Sequence, residues 1–385
     1  LNPLFTGLPE TIFDVMSRLA AQHGAVNLGQ GFPDAPGPED VRAEAARALM
    51  EDSNQYPPMR GLPGLRAAVA EHYGRFHGVR LDPETEVVVT SGATEALAAA
   101  ILSMVSPGDE VVLIQPLYDA YLPLVRLAGG VPRLIRLAPP HWTITEAELA
   151  RVFSPRTRLV VMNNPINPAA VCIPRAELEL LAEFCLRFDA RVVADEVWEH
   201  VVFAPHAHTP IAALPGMGDR VVKIGSAGKI FALTGWKVGF LCGPPALAAS
   251  ALKAHQFLTF TTPPNLQTAV AYGLRKPDSY FLGMRGELAR SRDRLTAGLR
   301  DAGYAVLPSQ GSYFLNVDLT ASGIPLDDET FCRRIVEAFK VAAIPVSAFY
   351  AEDPVRHIVR LCFAKSDAVL DQGVEQLAEA RRRFI

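Results

Sequence analysis

Residues Glu86–Pro116 read EVVVTSGATEALAAAILSMVSPGDEVVLIQP, and this stretch decides the fold. A short apolar run, Val87–Val89, empties into Ser91 and Gly92, a helix-spaced segment follows to Val105, and the turn Ser106–Asp109 leads into a second apolar run. Each run is short and bounded by turn residues, so each reads as a buried strand. The pattern continues with a helix over YDAYLPLVRLAGG, a strand at VPRLIRL, and further strands at RLVVMNN, RVVAD, RVVKIGS and VGFLCGP. Sustained alternation of this kind predicts an α/β fold whose sheet is mostly parallel and covered by helices on both faces. Ligands of such sheets bind at the carboxyl ends of the strands.

Outward from this centre the character changes. Towards the N-terminus, Thr11–His23 reads as an amphipathic helix ended by Gly24, and NLGQGFPDAPGP (27–38) as a Gly/Pro-rich connector. Helices are predicted from Pro38 to Glu51 and from Pro63 to near Gly78, with the loop NQYPPMRGLPG between them. After Gly243 come helices, one long from Pro277 to Gly303, and short strands at YAVLP, SYFLNVD and HIVRLCFA. This predicts a smaller α+β domain joined by the N-terminal segment. The expected division is a large domain over 40–280 and a small one over 1–39 and 281–385.

With 385 residues, 49% of them hydrophobic and 20% charged, the chain can bury a large core and a second domain. The net charge of −4 and the lack of a basic tract argue against nucleic acid. The five cysteines, Cys172, Cys185, Cys242, Cys332 and Cys362, are widely spaced without metal-ligand spacing, so free thiols in a reducing compartment and no metal are expected. The start, LNPLFTGLPE, lacks the marks of a signal peptide, and no apolar run reaches spanning length. The expected location is the cytoplasm, with no membrane association.

The candidate chemistry centres on VKIGSAGKIFALTGWKVG (222–239), where a strand empties into Gly225, Ser226, Ala227 and Gly228 before the isolated Lys229. Small residues beside a cation at a strand end let backbone N–H and hydroxyl donors approach an anion, and Lys237 adds a second cation. On its own this is also compatible with a loop bearing two solvated lysines. SGATEAL (91–97) sets Gly92, Ala93 and Thr94 at a strand-to-helix junction, which favours a phosphate or makes Thr94 a simple cap. Asp195, closing RVVAD, is either a helix cap or a functional carboxylate. Asn167, in NNPINP, sits in a turn, and Tyr118, an aromatic at a helix start, by itself reads more readily as core than as a ligand contact. Arg360, on the apolar strand HIVRLCFA, must meet a carboxylate from the protein or from a substrate.

The string S-x-G-K-x-F-x-x-T-G-W-K-x-G resembles the cofactor-lysine signature of the class I/II aminotransferases, fold-type-I enzymes that use pyridoxal 5'-phosphate. The resemblance covers almost the whole chain, and TIFDVMSRLA, NLGQGFPD and VRLCFAK are most similar to the kynurenine/methionine/glutamine aminotransferase branch. It implies a seven-stranded-type large-domain sheet and assigns Lys229 as the Schiff-base lysine that also moves the substrate proton. It implies a phosphate cup of Gly92, Ala93, Thr94, Ser226 and Lys237, the last where many relatives carry arginine. Asp195 would pair with the pyridine nitrogen, Tyr118 would stack on the ring, and Asn167 would donate to the phenolic oxygen. Arg360 would clamp the substrate α-carboxylate, with a backbone contact from Gly31. Tyr56 would reach the phosphate of a neighbouring subunit, and Phe260, in AHQFLTFTTPPN, would line its substrate pocket, which makes a homodimer with shared active sites the expected assembly.

Two positions depart from the family pattern. Ala170 stands where glycine commonly follows the Asn-Pro, and Trp198 where tyrosine is common; an indole has one donor and no acceptor. The expected partners are an amino acid and a 2-oxo acid. The 254–265 loop holds no arginine to meet a side-chain carboxylate, which favours an uncharged donor such as methionine, glutamine or an aromatic amino acid. The alternative within the same chemistry is a cysteine-conjugate carbon–sulfur β-lyase. A transcription regulator with a similar effector domain needs an N-terminal DNA-binding domain, for which a match beginning near Thr11 leaves no room.

Overall fold

The computed structural model describes residues 1–385. Seven strands form the central sheet, in the spatial order Val87–Ser91, Val238–Cys242, Val221–Ser226, Arg191–Asp195, Thr157–Asn163, Glu110–Gln115, Val131–Arg136. Val238–Cys242 runs antiparallel to both its neighbours, and the remaining pairs are parallel. The sheet is therefore mostly parallel, as expected. Because successive side chains of a strand point to opposite faces, Val111 and Leu113 join one core cluster while Val112 and Ile114 join another. Both faces are dry, which is why these runs read as continuously apolar.

The flanking helices follow from local chemistry. In Ile12–His23, Thr11 caps the start by accepting from the Asp14 N–H at 3.2 Å, and Gly24 closes the end at φ 59°. The long helix is Asp278–Asp301, so the expected boundary at 280/281 falls within its first turn. The helix expected over Tyr118–Gly130 is shorter, Tyr121–Leu127.

A second sheet of four strands orders Ile344–Pro345, Ile358–Cys362, Phe314–Asp318 and Ala305–Val306, all antiparallel. A two-residue strand that the sequence does not announce, Val26–Asn27, pairs in parallel with Val341–Ala342. That pairing brings the Gly-rich connector against Ile358–Cys362, where the Cys362 N–H donates to the Leu28 carbonyl at 2.7 Å. No helix is long and apolar enough to cross a membrane.

Candidate active site

Five strand ends meet at one edge of the large sheet, four of them carboxyl ends and one the start of the antiparallel Val238–Cys242. Asn163 pairs with Asp195, Asp195 with Ile224, Ser226 with Gly239, and Ser91 with Val238. A cavity of about 330 Å³ opens there, lined by Gly31, Ala93, Thr94, Tyr118, Asn167, Asp195, Trp198, Lys229 and Arg360 among others. These nine expected residues come from segments spread over most of the chain. Gly92 and Lys237 lie just behind the lining: Gly92 has φ 76°, and a Cβ there would stand 3.1 Å from the Lys237 Nζ. At Gly239 a Cβ would come within 2.5 Å of the Gly92 carbonyl carbon, so the two strands approach closely only because both residues lack side chains. Ser226 is buried at the end of its strand.

The Lys229 Nζ donates to the Tyr313 hydroxyl at 3.0 Å and to the Gly31 carbonyl at 3.3 Å. Tyr313 itself donates to that carbonyl at 2.6 Å. Burial pulls the lysine down to about 8, with the nearby Arg360 and Lys237 charges acting the same way. Asp195 is pushed up to about 6 by burial, against a hydrogen bond of 2.6 Å from the Tyr121 hydroxyl. It has no cationic partner in the protein.

Arg360 is 1% exposed, yet no carboxylate lies within ion-pairing distance. Its Nη1 donates to the Asn167 Oδ1 at 2.7 Å and its Nη2 to the Gly29 carbonyl at 2.9 Å, while Nε is unpaired. The Phe314 ring lies 3.9 Å from the guanidinium carbon. Burial lowers Arg360 to about 10. Of the two partners the sequence left open, a protein carboxylate is absent. The connector meets Arg360 through Gly29, whereas the Gly31 carbonyl is taken by Lys229 and Tyr313.

Trp198 packs edge-on against Tyr313 at 4.4 Å, with the Lys229 Nζ 4.8 Å from its ring. Ala170 adopts φ 61°, the left-handed region that glycine enters without penalty, which accounts for the usual glycine there. The turn that carries Asp195 and Trp198 also carries Glu196, Glu199 and His200 into a separate buried cluster. There Lys223 ion-pairs with Glu199, His77 Nε2 stands 3.0 Å from Glu199, and His208 Nε2 stands 3.4 Å from Glu196.

Tyr56 and Phe260 do not join the cavity of their own chain. They are 83% and 41% exposed and meet each other edge to face at 5.5 Å. Conversely, sequence reasoning missed Tyr121 and Tyr313. Tyr121 lies in the same QPLYDAY string as Tyr118, a usable signal, whereas Tyr313 reads only as part of a strand.

Residues 24–377 match the family model described as aminotransferase class I and II. The chain belongs to this family and is a pyridoxal-phosphate-dependent aminotransferase. It is 40% identical to the methionine aminotransferase of Escherichia coli, over 98% of this chain and 99% of that one. The solved structure of N-succinyldiaminopimelate aminotransferase from Mycobacterium tuberculosis superposes with a TM-score of 0.95 at 42% identity, covering 99% and 100% of the two chains. Human kynurenine–oxoglutarate transaminase 1 is 37% identical over 94% of this chain and 93% of its own. These relatives support transamination and do not favour the carbon–sulfur lyase alternative.

Proposed function

We propose that the enzyme transfers the amino group of an uncharged L-amino acid, of the methionine, glutamine or aromatic type, to a 2-oxo acid. The observation that carries this reading is the pairing of a buried, carboxylate-free Arg360 with a cavity whose remaining wall holds Phe13, Asp14, Gln30 and Phe32 and no further cation beyond Lys229. Arg360 is the one site for a carboxylate, and Asp14 repels a second.

The residues fit the cofactor on three counts: an amine with lowered proton affinity, a buried carboxylate without a cation, and a glycine turn at a helix start beside Lys237. Lys229 would hold it covalently, Gly92, Ala93, Thr94, Ser226 and Lys237 its phosphate, Asp195 its ring nitrogen, Asn167 its phenolic oxygen, and Tyr118 its ring face. When bound, pyridoxal phosphate supplies an electron sink for negative charge at the substrate α-carbon. Asp195 keeps a negative charge fixed at the buried end of the site, and Tyr121 orients that carboxylate. Lys229, once free, takes the α-proton at Nζ and later returns it. Arg360 fixes the substrate carboxylate, so that the Cα–H bond faces the amine.

The same reading places the large domain at 40–280 and the small one at 1–39 and 281–385, with Lys229 and Asp195 on one and Gly31 and Arg360 on the other. The exposed apolar cluster Tyr56, Phe257, Leu258 and Phe260 supports a homodimer with shared active sites, and the five buried free thiols support a cytoplasmic location. The test is a screen of amino donors and 2-oxo acid acceptors on purified protein with pyridoxal phosphate. Methionine, glutamine or aromatic donors are expected to turn over fastest. Faster turnover of aspartate, or of a donor whose side chain ends in an anion, overturns the assignment.

A further inference from the structure

His255 lies outside the cavity, on the helix Pro245–Leu258, with no exposed surface. Its Nδ1 stands 3.0 and 3.1 Å from the two oxygens of Glu95, and its Nε2 stands 3.1 Å from the Met59 carbonyl. The Thr259 hydroxyl also stands 3.3 Å from Nδ1, so one ring meets the start of a helix, the loop at Met59 and residue 259. Glu95 belongs to the first turn of Gly92–Met104, the helix whose start forms part of the active site, and also accepts from the Ser91 N–H at 3.0 Å. The His255 carbonyl in turn accepts from the N–H groups of Thr259 and Phe260 at 3.1 and 3.0 Å.

A second buried side chain repeats the connection. The Gln267 Oε1 accepts from the Leu62 N–H at 2.7 Å, and its Nε2 donates to the Thr262 carbonyl at 2.7 Å. Two loops, one around residues 56–62 and one around 259–262, are thus tied to each other and to the helix at the phosphate end of the site. These loops carry Tyr56 and Phe260, whose rings meet on the outside of the chain. Phe260 is held at φ 66°, a backbone conformation that a bulky residue keeps only when its surroundings impose it.

We infer that His255, anchored by Glu95, is a positioning residue acting in trans: it sets the two loops that complete the active site of a second copy of this chain. Polar contacts at both ends of a buried ring fix its direction and so hold the segments on either side in one arrangement. The inference rests on the reading that the active sites are shared within a homodimer.

The test uses two heterodimers, each with one live site because one chain carries Lys229→Ala. In the first, His255→Asn is placed in the chain with the intact Lys229; in the second, it is placed in the Lys229→Ala chain. Action in trans predicts a near-normal pyridoxal phosphate dissociation constant and donor KM in the first, and a roughly tenfold rise in both in the second. The reverse pattern, or no change in either, overturns the inference. Tyr56→Phe in the same two arrangements probes the underlying reading separately. If Tyr56→Phe acts in trans while His255→Asn does not, only the present inference fails; if Tyr56→Phe acts within its own chain, shared sites fail with it. Should His255→Asn yield no soluble dimer, His255→Gln is placed in the same two arrangements and read against the same outcomes.

Discussion

The Tyr121 hydroxyl donates to the Asp195 carboxylate at 2.6 Å, and both side chains are buried. This bond favours the anionic form of Asp195 against the burial that opposes it. In Tyr121→Phe the carboxylate loses that donor and its pKa rises, so the acid limb of the kcat profile shifts to higher pH, by about half a unit to one unit. A kcat reduced roughly three- to tenfold at neutral pH should accompany the shift. An unmoved acid limb in pH–rate measurements would mean that Tyr121 has no part in tuning Asp195.

Lys229, drawn down to about 8, is about one-tenth free base at pH 7, whereas an ordinary lysine is almost wholly charged there. The rate at which the apoenzyme takes up pyridoxal phosphate covalently is therefore expected to rise with pH through a midpoint near 8 and then level off. Stopped-flow absorbance measures this directly. A rate still climbing at pH 10 contradicts the lowered proton affinity.

On the proposed reading Arg360 is a cost to the protein alone and a clamp on the substrate carboxylate when substrate is bound. Replacing it with Leu removes an uncompensated buried charge, so the apoenzyme melting temperature should stay level or rise, while the donor KM increases by roughly a hundredfold or more. Arg360→Lys keeps a charge but loses the planar fork and should also raise KM severalfold. Thermal melts and steady-state kinetics on the same preparations check both halves. A marked loss of stability in the Leu variant would show that the guanidinium serves the fold.

On the proposed reading Trp198 stands on the phenolic side of the cofactor, where its indole N–H, set in a larger ring, would donate to that oxygen less directly than a tyrosine hydroxyl. In Trp198→Tyr the pH midpoint of the cofactor's visible absorbance change should lie below that of the parent. Identical spectral titrations of the two proteins rule this out.

Glu199 ion-pairs with Lys223 and stands 3.0 Å from His77. Burial opposes its charge, but Lys223 and His77 outweigh that and hold it well below the usual carboxylate range. Its contribution is present above the unfolded carboxylate value and fades as the pH falls towards the lower folded one. Glu199→Gln leaves Lys223 only the more distant carboxylate of Glu196, 3.8 Å away, so unfolding in urea at pH 7 should show a loss of about 3 kcal/mol that narrows in acid. Equal stability at pH 7 would show that Glu196 alone suffices as its counter-charge.

What could be read from the sequence depended on how far a residue's chemistry departs from its setting. Lys229 was legible only through the whole string around it, since small residues after a strand fit a solvated loop as well as an approached amine, whereas Arg360 was legible because an arginine on an apolar strand demands a partner. Tyr121 and Tyr313 were not, since a buried tyrosine is ordinary and its hydroxyl acquires a role only when the sheet brings Asp195 or Lys229 to it. The strand Val26–Asn27 was illegible for another reason: two residues carry no periodicity, and its partner lies at Val341–Ala342. Tyr56 and Phe260 show the limit from the other side, because one chain alone displays them as surface.

The parallel pairing of Val26–Asn27 with Val341–Ala342 also has a temporal side. On a ribosome adding about 5–20 residues per second, the segment that will flank Arg360 emerges roughly a quarter of a minute to a minute before its partner exists. Through that interval the large sheet can form while the connector hangs free, so catalytic competence is the last property the nascent chain acquires.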